Sequence, residues 1–200
     1  NAADFLKRCV DQAGICVLHA PLFHPAMKNV APVRRDLGVK TFFNMLGPLV
    51  NPAFPKNQLT GGFNLELARL YHYLFQKTDT NFTILYALDG YDEISLTGPT
   101  KAFSKTSERI LNPQDFGVLP LKAEQIVGGD TVESSAKIFM EVIQNKGTEA
   151  QTNVVCANAG MAIATALNLS PIEGFEKAKE SLQSGKALTA LTSLQNISKA

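Results

Sequence analysis

The chain has 200 residues, of which 45% are hydrophobic and 18% charged, and its 19 basic and 18 acidic residues leave a formal net charge of +1. This composition excludes wholesale disorder, and the even charge balance argues against a nucleic-acid binder with a basic surface throughout. The longest apolar runs, such as 84–88, are too short to span a bilayer, and no signal-peptide pattern opens the chain. We therefore expect a cytoplasmic protein without a membrane segment.

The first fifty residues are predicted to hold short helices around one strand. Helical spacing over 2–13 predicts a first helix, and the apolar run at 15–19 predicts a buried strand. A further helix is expected from Pro25, and Thr41 is a suitable N-cap for another helix that ends near Gly47.

From residue 58 onward, strands and helices alternate, and beyond Asp130 the pattern is helical alone. Strands are predicted over 58–63 and 82–88, with two weaker extended pieces within 100–111. Helices are predicted over 65–76, 131–144, 149–167, 171–182 and 187–197. This order indicates the α/β fold class, with a mixed, largely parallel sheet flanked by helices in a single domain.

The three cysteines, Cys9, Cys16 and Cys156, are odd in number and lack CxxC spacing. Neither a disulfide framework nor a zinc site is indicated by this pattern. We interpret them as small apolar residues of a protein in a reducing compartment.

Two adjacent cations, Arg34 and Arg35, stand in the string HPAMKNVAPVRRDLGVKTFFNMLGPLVNP over 24–52. A guanidinium fork matches a carboxylate bidentately, so one of these cations is a candidate ligand for an organic acid. Neighbouring helical residues point in different directions, and two solvated helix cations are the alternative interpretation. In the same string His24 is interpreted as structural and Lys28 as an exposed charge.

Two adjacent carboxylates, Asp92 and Glu93, stand in the string LDGYDEISLTGPT over 88–100. They follow a buried strand and a glycine turn, where open α/β sheets place ligand loops. Such oxygens suit Mg²⁺, which also binds substrate phosphates, while a solvated acidic turn is the alternative. The pairs Gly61-Gly62 and Gly128-Gly129 match neither a dinucleotide fingerprint nor a P-loop.

These two strings, followed by GGDTVESSAKIF and VVCANAGMAIA, occur in the order and at the spacing of one enzyme family. From Ala2 to its end the chain resembles anthranilate phosphoribosyltransferase. The resemblance implies the α/β domain type of nucleoside phosphorylases and phosphoribosyltransferases. It also implies a glycosyltransferase of tryptophan biosynthesis, which transfers a phosphoribosyl group from phosphoribosyl pyrophosphate to anthranilate and releases pyrophosphate with the help of Mg²⁺.

The resemblance also assigns roles to three residues. Arg34 matches the arginine that holds the anthranilate carboxylate, and Asp92 and Glu93 match the metal-binding pair. His24 falls near the aromatic-acid site without a catalytic role, and no side chain is assigned as a catalytic nucleophile. Many relatives have histidine where Tyr86 stands.

The family's N-terminal part has no counterpart in the chain, according to the resemblance. That part carries the helices of the family's homodimer interface, a GTGGD loop for the pyrophosphate and a KHGN region that touches both substrates. We therefore expect residues 1–200 to be one domain truncated from a larger two-domain enzyme, and to be inactive or nearly so alone.

Two alternatives share the implied fold. A pyrimidine nucleoside phosphorylase would need a nucleobase site, which the contexts of Arg34 and of Asp92 and Glu93 fit less well. A nucleic-acid-binding relative without enzymatic activity would show a basic face and lack the acidic pair, so no nucleic-acid partner is expected.

Overall fold

The computed structural model describes residues 2–24, 32–33, 36, 38 and 42–199, and every structural statement concerns these residues. The chain divides into two compact units, Asn1–Phe54 with Thr189–Ala200, and Pro55–Leu188. These units are defined by contacts within this chain and carry no information about a longer protein. The expectation that residues 1–200 are one domain of a larger two-domain enzyme therefore stays a prediction.

The first unit is helical. Its elements are α1 (Ala2–Ala13), α2 (Ala20–Phe23), α3 (Phe43–Leu46) and a 3₁₀ turn (Gly47–Leu49), together with the last residues of the C-terminal helix. Helix α1 ends as predicted at Gly14, whose φ is +70° and whose N–H donates to the Val10 carbonyl at 3.1 Å. Cys9, Ala13 and Ile197 form a small buried cluster.

The predicted strand at 15–19 is wrong. This segment has no regular secondary structure, and Ile15 and Val17 are 47% and 72% exposed. A strand needs a neighbour that pairs with its backbone N–H and C=O groups, and no described strand lies beside this run. Of the helix expected from Pro25, only residues 32–33 and 36 are described, and these are helical. The N-cap expected at Thr41 lies outside the described residues.

The second unit is built on a four-stranded sheet in the order β1-β2-β3-β4. Its strands are β1 (Asn57–Gly61), β2 (Asn81–Ala87), β3 (Thr100–Ser104) and β4 (Glu108–Leu111). Strand β1 is parallel to β2, while β2 with β3 and β3 with β4 are antiparallel. The four strands predicted within residues 58–111 are confirmed. The sheet is mixed, as predicted, but the expectation that it is largely parallel is wrong for the described strands.

The direction of each pairing follows from its connection. Helix α4 (Leu65–Phe75) joins β1 to β2 and gives the parallel crossover. The other two connections, 88–99 and 105–107, contain no helix and return the chain as antiparallel neighbours.

The remaining helices agree with the predicted ones to within one or two residues. They are α5 (Val132–Ile143), α6 (Glu149–Leu167), α7 (Pro171–Gln183) and α8 (Lys186–Lys199). Thr131, Thr148 and Ser170 cap α5, α6 and α7 because each hydroxyl accepts a hydrogen bond from the backbone N–H three residues on. At the last of these caps, hydrogen bonds from Ser170 hold the pKa of Glu173 below its usual range.

The core of the second unit lies between the sheet and helices α6 and α7. Its largest cluster includes Leu85, Leu96, Phe116, Met161 and Phe175, all at most 3% exposed. Helix α6 is also joined to β2 by the buried hydroxyls of Thr83 and Thr165, 2.7 Å apart. Sheet and helix are therefore tied by both apolar packing and a polar contact.

Helices α6 and α7 cross at two glycines, Gly160 and Gly174. A Cβ on Gly160 would lie 2.6 Å from backbone atoms of Phe175, and a Cβ on Gly174 would overlap the Gly160 carbonyl oxygen. Only glycine at both positions lets the two backbones approach this closely.

No single helix of the described residues is long and apolar enough to cross a membrane. Helices α6 and α7 reach that length and composition only when counted together, and they are bent by 115° at the break between them.

The three cysteines are free, with Cys9 and Cys156 buried and Cys16 half-buried. Burial raises the pKa of the Cys156 thiol, which lowers its thiolate fraction. We expect only Cys16 to react rapidly with Ellman's reagent in the native protein, and all three after denaturation in guanidinium chloride. Rapid native reaction of every thiol would contradict the burial of Cys9 and Cys156.

Candidate functional site

The loop of residues 88–99, here called the carboxylate loop, joins β2 to β3 and contains Asp92 and Glu93. It closes on itself at its base, where the Leu88 N–H donates to the Pro99 carbonyl at 2.9 Å. A tight turn follows β2, as the Asp-Gly signal predicted, and Gly90 adopts a φ of +100° within it. The loop is thus a compact closed segment.

Buried residues anchor the carboxylate loop immediately after its charged pair. Asp92 and Glu93 are exposed, whereas Ile94 and Leu96 are each 1% exposed and belong to the main core cluster. The chain passes from solvent at Glu93 into the core at Ile94. The backbone that carries the two carboxylates is therefore held at its C-terminal side by a buried residue.

Asn158 of helix α6 holds the backbone of Ile94 from both sides. The Ile94 N–H donates to Oδ1 of Asn158 at 2.9 Å, and Nδ2 of Asn158 donates to the Ile94 carbonyl at 2.8 Å. The same Nδ2 also donates to the Val154 carbonyl one helical turn earlier at 3.0 Å. The side chain therefore joins the loop to the helix.

A third carboxylate, Asp89, stabilises the loop from within. It accepts hydrogen bonds from the hydroxyls of Ser95, at 3.1 Å, and Thr97. The Thr97 N–H donates to the Ser95 hydroxyl at 3.2 Å, which closes a small polar network. Because Asp89 is engaged inside the loop, its role differs from that of exposed Asp92 and Glu93.

The end of β1 approaches the carboxylate loop at Gly61. Parallel strands β1 and β2 end at the same edge of the sheet, and a Cβ on Gly61 would overlap the carbonyl oxygen of Asp92. Two backbone segments therefore approach each other closely at Gly61, which requires a residue without a side chain. Any side chain at Gly61 would displace the backbone that carries Asp92.

A cleft of about 320 Å³ opens beside Glu93. Its lining combines the carboxylate loop with a second loop and helix α6. The residues are Tyr91, Glu93, Ile94, Ser95, Ala123, Ile126, Val127, Gly128 and Val154. Glu93 therefore borders a concave surface rather than a flat one, as ligand sites do.

Residues 1–188 match the model of the glycosyl transferase family, a/b domain. The chain belongs to this family. A curated relative, the anthranilate phosphoribosyltransferase of Christiangramia forsetii, is 67% identical over 196 residues, which are 98% of this chain and 59% of the relative. The chain thus spans less than two thirds of that relative's length, and the resemblance identified from the sequence is confirmed.

Solved structures agree with this membership of the glycosyl transferase family. Anthranilate phosphoribosyltransferase from Saccharomyces cerevisiae in complex with 4-fluoroanthranilate is 26% identical, with a TM-score of 0.84 over 93% of this chain and 55% of that one. The same enzyme in complex with PRPP and Mg is 26% identical, with a TM-score of 0.80 over 90% of this chain and 52% of that one. The predicted α/β fold class is confirmed.

The chemistry of the carboxylate loop fits Mg²⁺. Asp92 and Glu93 supply hard oxygen donors, and neither forms an ion pair with another described residue. Within the described ranges, no group of three or more His, Cys, Asp or Glu side chains could hold a metal ion by itself. Two carboxylates suit a cation that keeps waters and shares substrate phosphate oxygens, as Mg²⁺ does, better than one that needs an all-protein cage.

The structure brings together only part of the site inferred from the sequence. Arg34, Arg35 and Lys28 lie outside the described residues, so the anthranilate role of Arg34 stays a prediction. His24 is half-buried, and its backbone N–H donates to the Ala20 carbonyl at 2.9 Å at the end of α2. This contact does not involve the imidazole, so the structural role of that side chain stays a prediction.

Three residues of the site were missed by reasoning from the sequence, namely Asp89, Ser95 and Asn158. The sequence shows the Asp-Gly turn signal, but it does not show that the Asp89 carboxylate accepts a hydrogen bond from Ser95, six residues later. Asn158 is separated from Ile94 by 64 residues, so only the packing of α6 against the sheet reveals the pair.

Proposed function

We propose that the protein to which this chain belongs is an anthranilate phosphoribosyltransferase of tryptophan biosynthesis. It transfers a phosphoribosyl group from phosphoribosyl pyrophosphate to anthranilate, giving N-phosphoribosyl anthranilate and pyrophosphate. The observation that carries the proposal is the exposed pair Asp92 and Glu93, held on a closed loop beside a cleft in a glycosyl transferase domain. The names of the similar enzymes and of their complexes with PRPP and Mg and with 4-fluoroanthranilate support it.

Each part of the proposed reaction places a demand on this chain. The anthranilate nitrogen forms a bond to the ribose C1 as the bond from C1 to the pyrophosphate oxygen breaks. Pyrophosphate leaves with the electron pair of that bond, and the amine releases one proton to solvent. No nucleophilic side chain is required, so orientation and charge neutralisation carry the catalysis. Arg34 would bind the anthranilate carboxylate and set the direction of the amine.

Asp92 and Glu93 would hold Mg²⁺ through their carboxylate oxygens. The bound ion supplies Lewis-acid neutralisation of the pyrophosphate as it leaves. The contacts of Asn158, of Asp89 and of Gly61 restrain the backbone of the loop that carries the two carboxylates. A restrained backbone would reduce the reorganisation that Mg²⁺ binding requires.

The expected setting of the enzyme follows the family resemblance. We place it in the cytoplasm, as a homodimer in its full-length form, acting on two small-molecule substrates without a nucleic-acid or membrane partner. Size-exclusion chromatography with light scattering on the complete enzyme would test the dimer.

A chimera tests the proposed function. Its N-terminal segment is the part of the Christiangramia forsetii relative that precedes the matched region. This segment is followed by residues 1–200 of our chain, which replace a region of the relative that is 67% identical over 196 residues. We expect the chimera to consume anthranilate in the presence of phosphoribosyl pyrophosphate and Mg²⁺, as followed by anthranilate fluorescence. The chain alone should turn over at least about a hundredfold more slowly, because the other substrate's binding loops would be missing.

The relative itself serves as the positive control for this assay. A folded chimera that leaves anthranilate unconsumed would contradict the proposal. Release of nucleobase from uridine with inorganic phosphate, in place of anthranilate turnover, would favour the pyrimidine nucleoside phosphorylase alternative.

A further inference from the structure

We propose that Asn158 is a positioning residue for the metal-binding pair Asp92 and Glu93, acting through the backbone of Ile94. The inference rests on the proposed function, because it assigns a residue that orients the metal site. Asn158 touches neither carboxylate in the contacts described above, and its effect reaches them through the adjoining peptide groups.

The contact restrains both polar backbone groups of one residue. Asn158 accepts from the Ile94 N–H at 2.9 Å and donates to the Ile94 carbonyl at 2.8 Å, and the Ile94 side chain is 1% exposed in the core. With side chain and both backbone groups restrained, Ile94 has one orientation. Glu93 precedes it directly, so the restraint fixes the direction from which the carboxylates extend.

An amide side chain is suited to this task because it carries a donor and an acceptor in one plane. A carboxylate in its place could accept from the Ile94 N–H but would repel the Ile94 carbonyl oxygen. An apolar side chain would leave both backbone groups without their partners. The third contact, to the Val154 carbonyl at 3.0 Å, orients the Asn158 amide on the helix itself.

The carboxylate loop has further restraints that do not involve Asn158. The bond from Leu88 to Pro99 closes its base, and Asp89 binds Ser95. Loss of Asn158 should therefore leave the loop in place while widening the range of orientations of the two carboxylates. Outer residues that orient metal ligands affect metal affinity about 10- to 100-fold, which makes the effect measurable.

The test uses the 200-residue chain with Mn²⁺ alone as the probe, since Mn²⁺ prefers the same oxygen donors as Mg²⁺. Mn²⁺ is titrated to millimolar concentrations, and paramagnetic broadening of backbone amide NMR signals around residues 91–95 gives the affinity. We expect Asn158→Ala to bind Mn²⁺ about tenfold more weakly than the wild-type chain. Amide hydrogen exchange at Ile94 should accelerate in the same variant.

Thr165→Val is the matched control. It also removes the side-chain hydrogen bonds of a polar residue on α6, at a position about 10 Å along the helix from Asn158. We expect it to lower the denaturation midpoint without changing Mn²⁺ affinity. A double variant, Asp92→Asn with Glu93→Gln, should abolish the local broadening and so verify that the probe reports on the pair.

Several outcomes would overturn the assignment of Asn158. Equal Mn²⁺ affinity in Asn158→Ala and wild type would do so, as would an equal loss in Thr165→Val, which indicates destabilisation alone. Asn158→Gln, which retains the amide on a longer side chain, decides the question if the alanine variant does not fold, and it should bind Mn²⁺ more weakly than wild type. A wild-type chain without local Mn²⁺ broadening would contradict the metal site itself, and with it the proposed function.

Discussion

Replacing Asp92 with Asn and Glu93 with Gln in the chimera should lower kcat/KM for phosphoribosyl pyrophosphate by about a thousandfold, or about 4 kcal/mol of transition-state stabilisation. Both substitutions preserve the shape of the exposed side chains and remove their charge, so the loop should stay folded. The loss arises because the leaving pyrophosphate would no longer be neutralised by a correctly placed cation. Steady-state kinetics at a fixed, saturating Mg²⁺ concentration measure it.

The control for this pair removes two carboxylates elsewhere. Glu133→Gln with Glu176→Gln takes the same charge from exposed positions on α5 and α7. We expect it to change kcat/KM less than about threefold, because both side chains are exposed, lie outside the carboxylate loop and carry charges that salt screens. A loss below tenfold in the Asp92 and Glu93 variant, or an equal loss in the control, would remove the carboxylate pair from the mechanism.

Gly174→Ala should lower the free energy of unfolding by about 3 kcal/mol, at the upper end of the usual cost of overpacking. A Cβ at this position meets the Gly160 carbonyl oxygen and lies 3.0 Å from the Cβ of Ala164, so the helices must separate. Backbone atoms cannot rotate away as a flexible side chain can. Urea denaturation followed by circular dichroism measures the change through the midpoint.

Gly128→Ala is the corresponding control, because a Cβ there has no atom within 4 Å. We expect its free energy of unfolding to stay within about 0.5 kcal/mol of the wild type. If Gly174→Ala were as stable as Gly128→Ala, the close crossing of α6 and α7 would be incorrect.

Much of the fold could be predicted from local patterns. Helical spacing predicted the later helices to within a residue or two, since periodicity is a property of a few neighbouring residues. The run at 15–19 failed for the opposite reason, because a strand depends on a partner elsewhere. The prediction of a largely parallel sheet was also wrong, because β3 and β4 form an antiparallel hairpin that the hydrophobic pattern did not reveal. In its tight turn the Ser104 N–H donates to the Ser107 carbonyl at 2.8 Å.

The candidate site divides in the same way. Asp92 and Glu93 could be selected because they adjoin a turn after a buried strand, and the family resemblance gave them a role. Asn158 could not be selected, and the partner of Gly61 could not be foreseen, because their contacts are 64 and 31 residues away along the sequence. Residue type alone gives no indication of such long-range partners. The role of Arg34 rests on the resemblance.

The turn of helix α6 formed by residues 157–160 tolerates few substitutions. Ala157 is fully buried, half-buried Asn158 binds the carboxylate loop, and Gly160 contacts α7, so Ala159 is the exposed residue of the four. Core packing and the geometry of the carboxylate loop thus depend on three of four successive residues. Repacking this turn for heat resistance would therefore also alter the backbone of the carboxylate loop, and substitutions intended to separate the two effects belong elsewhere in the helix.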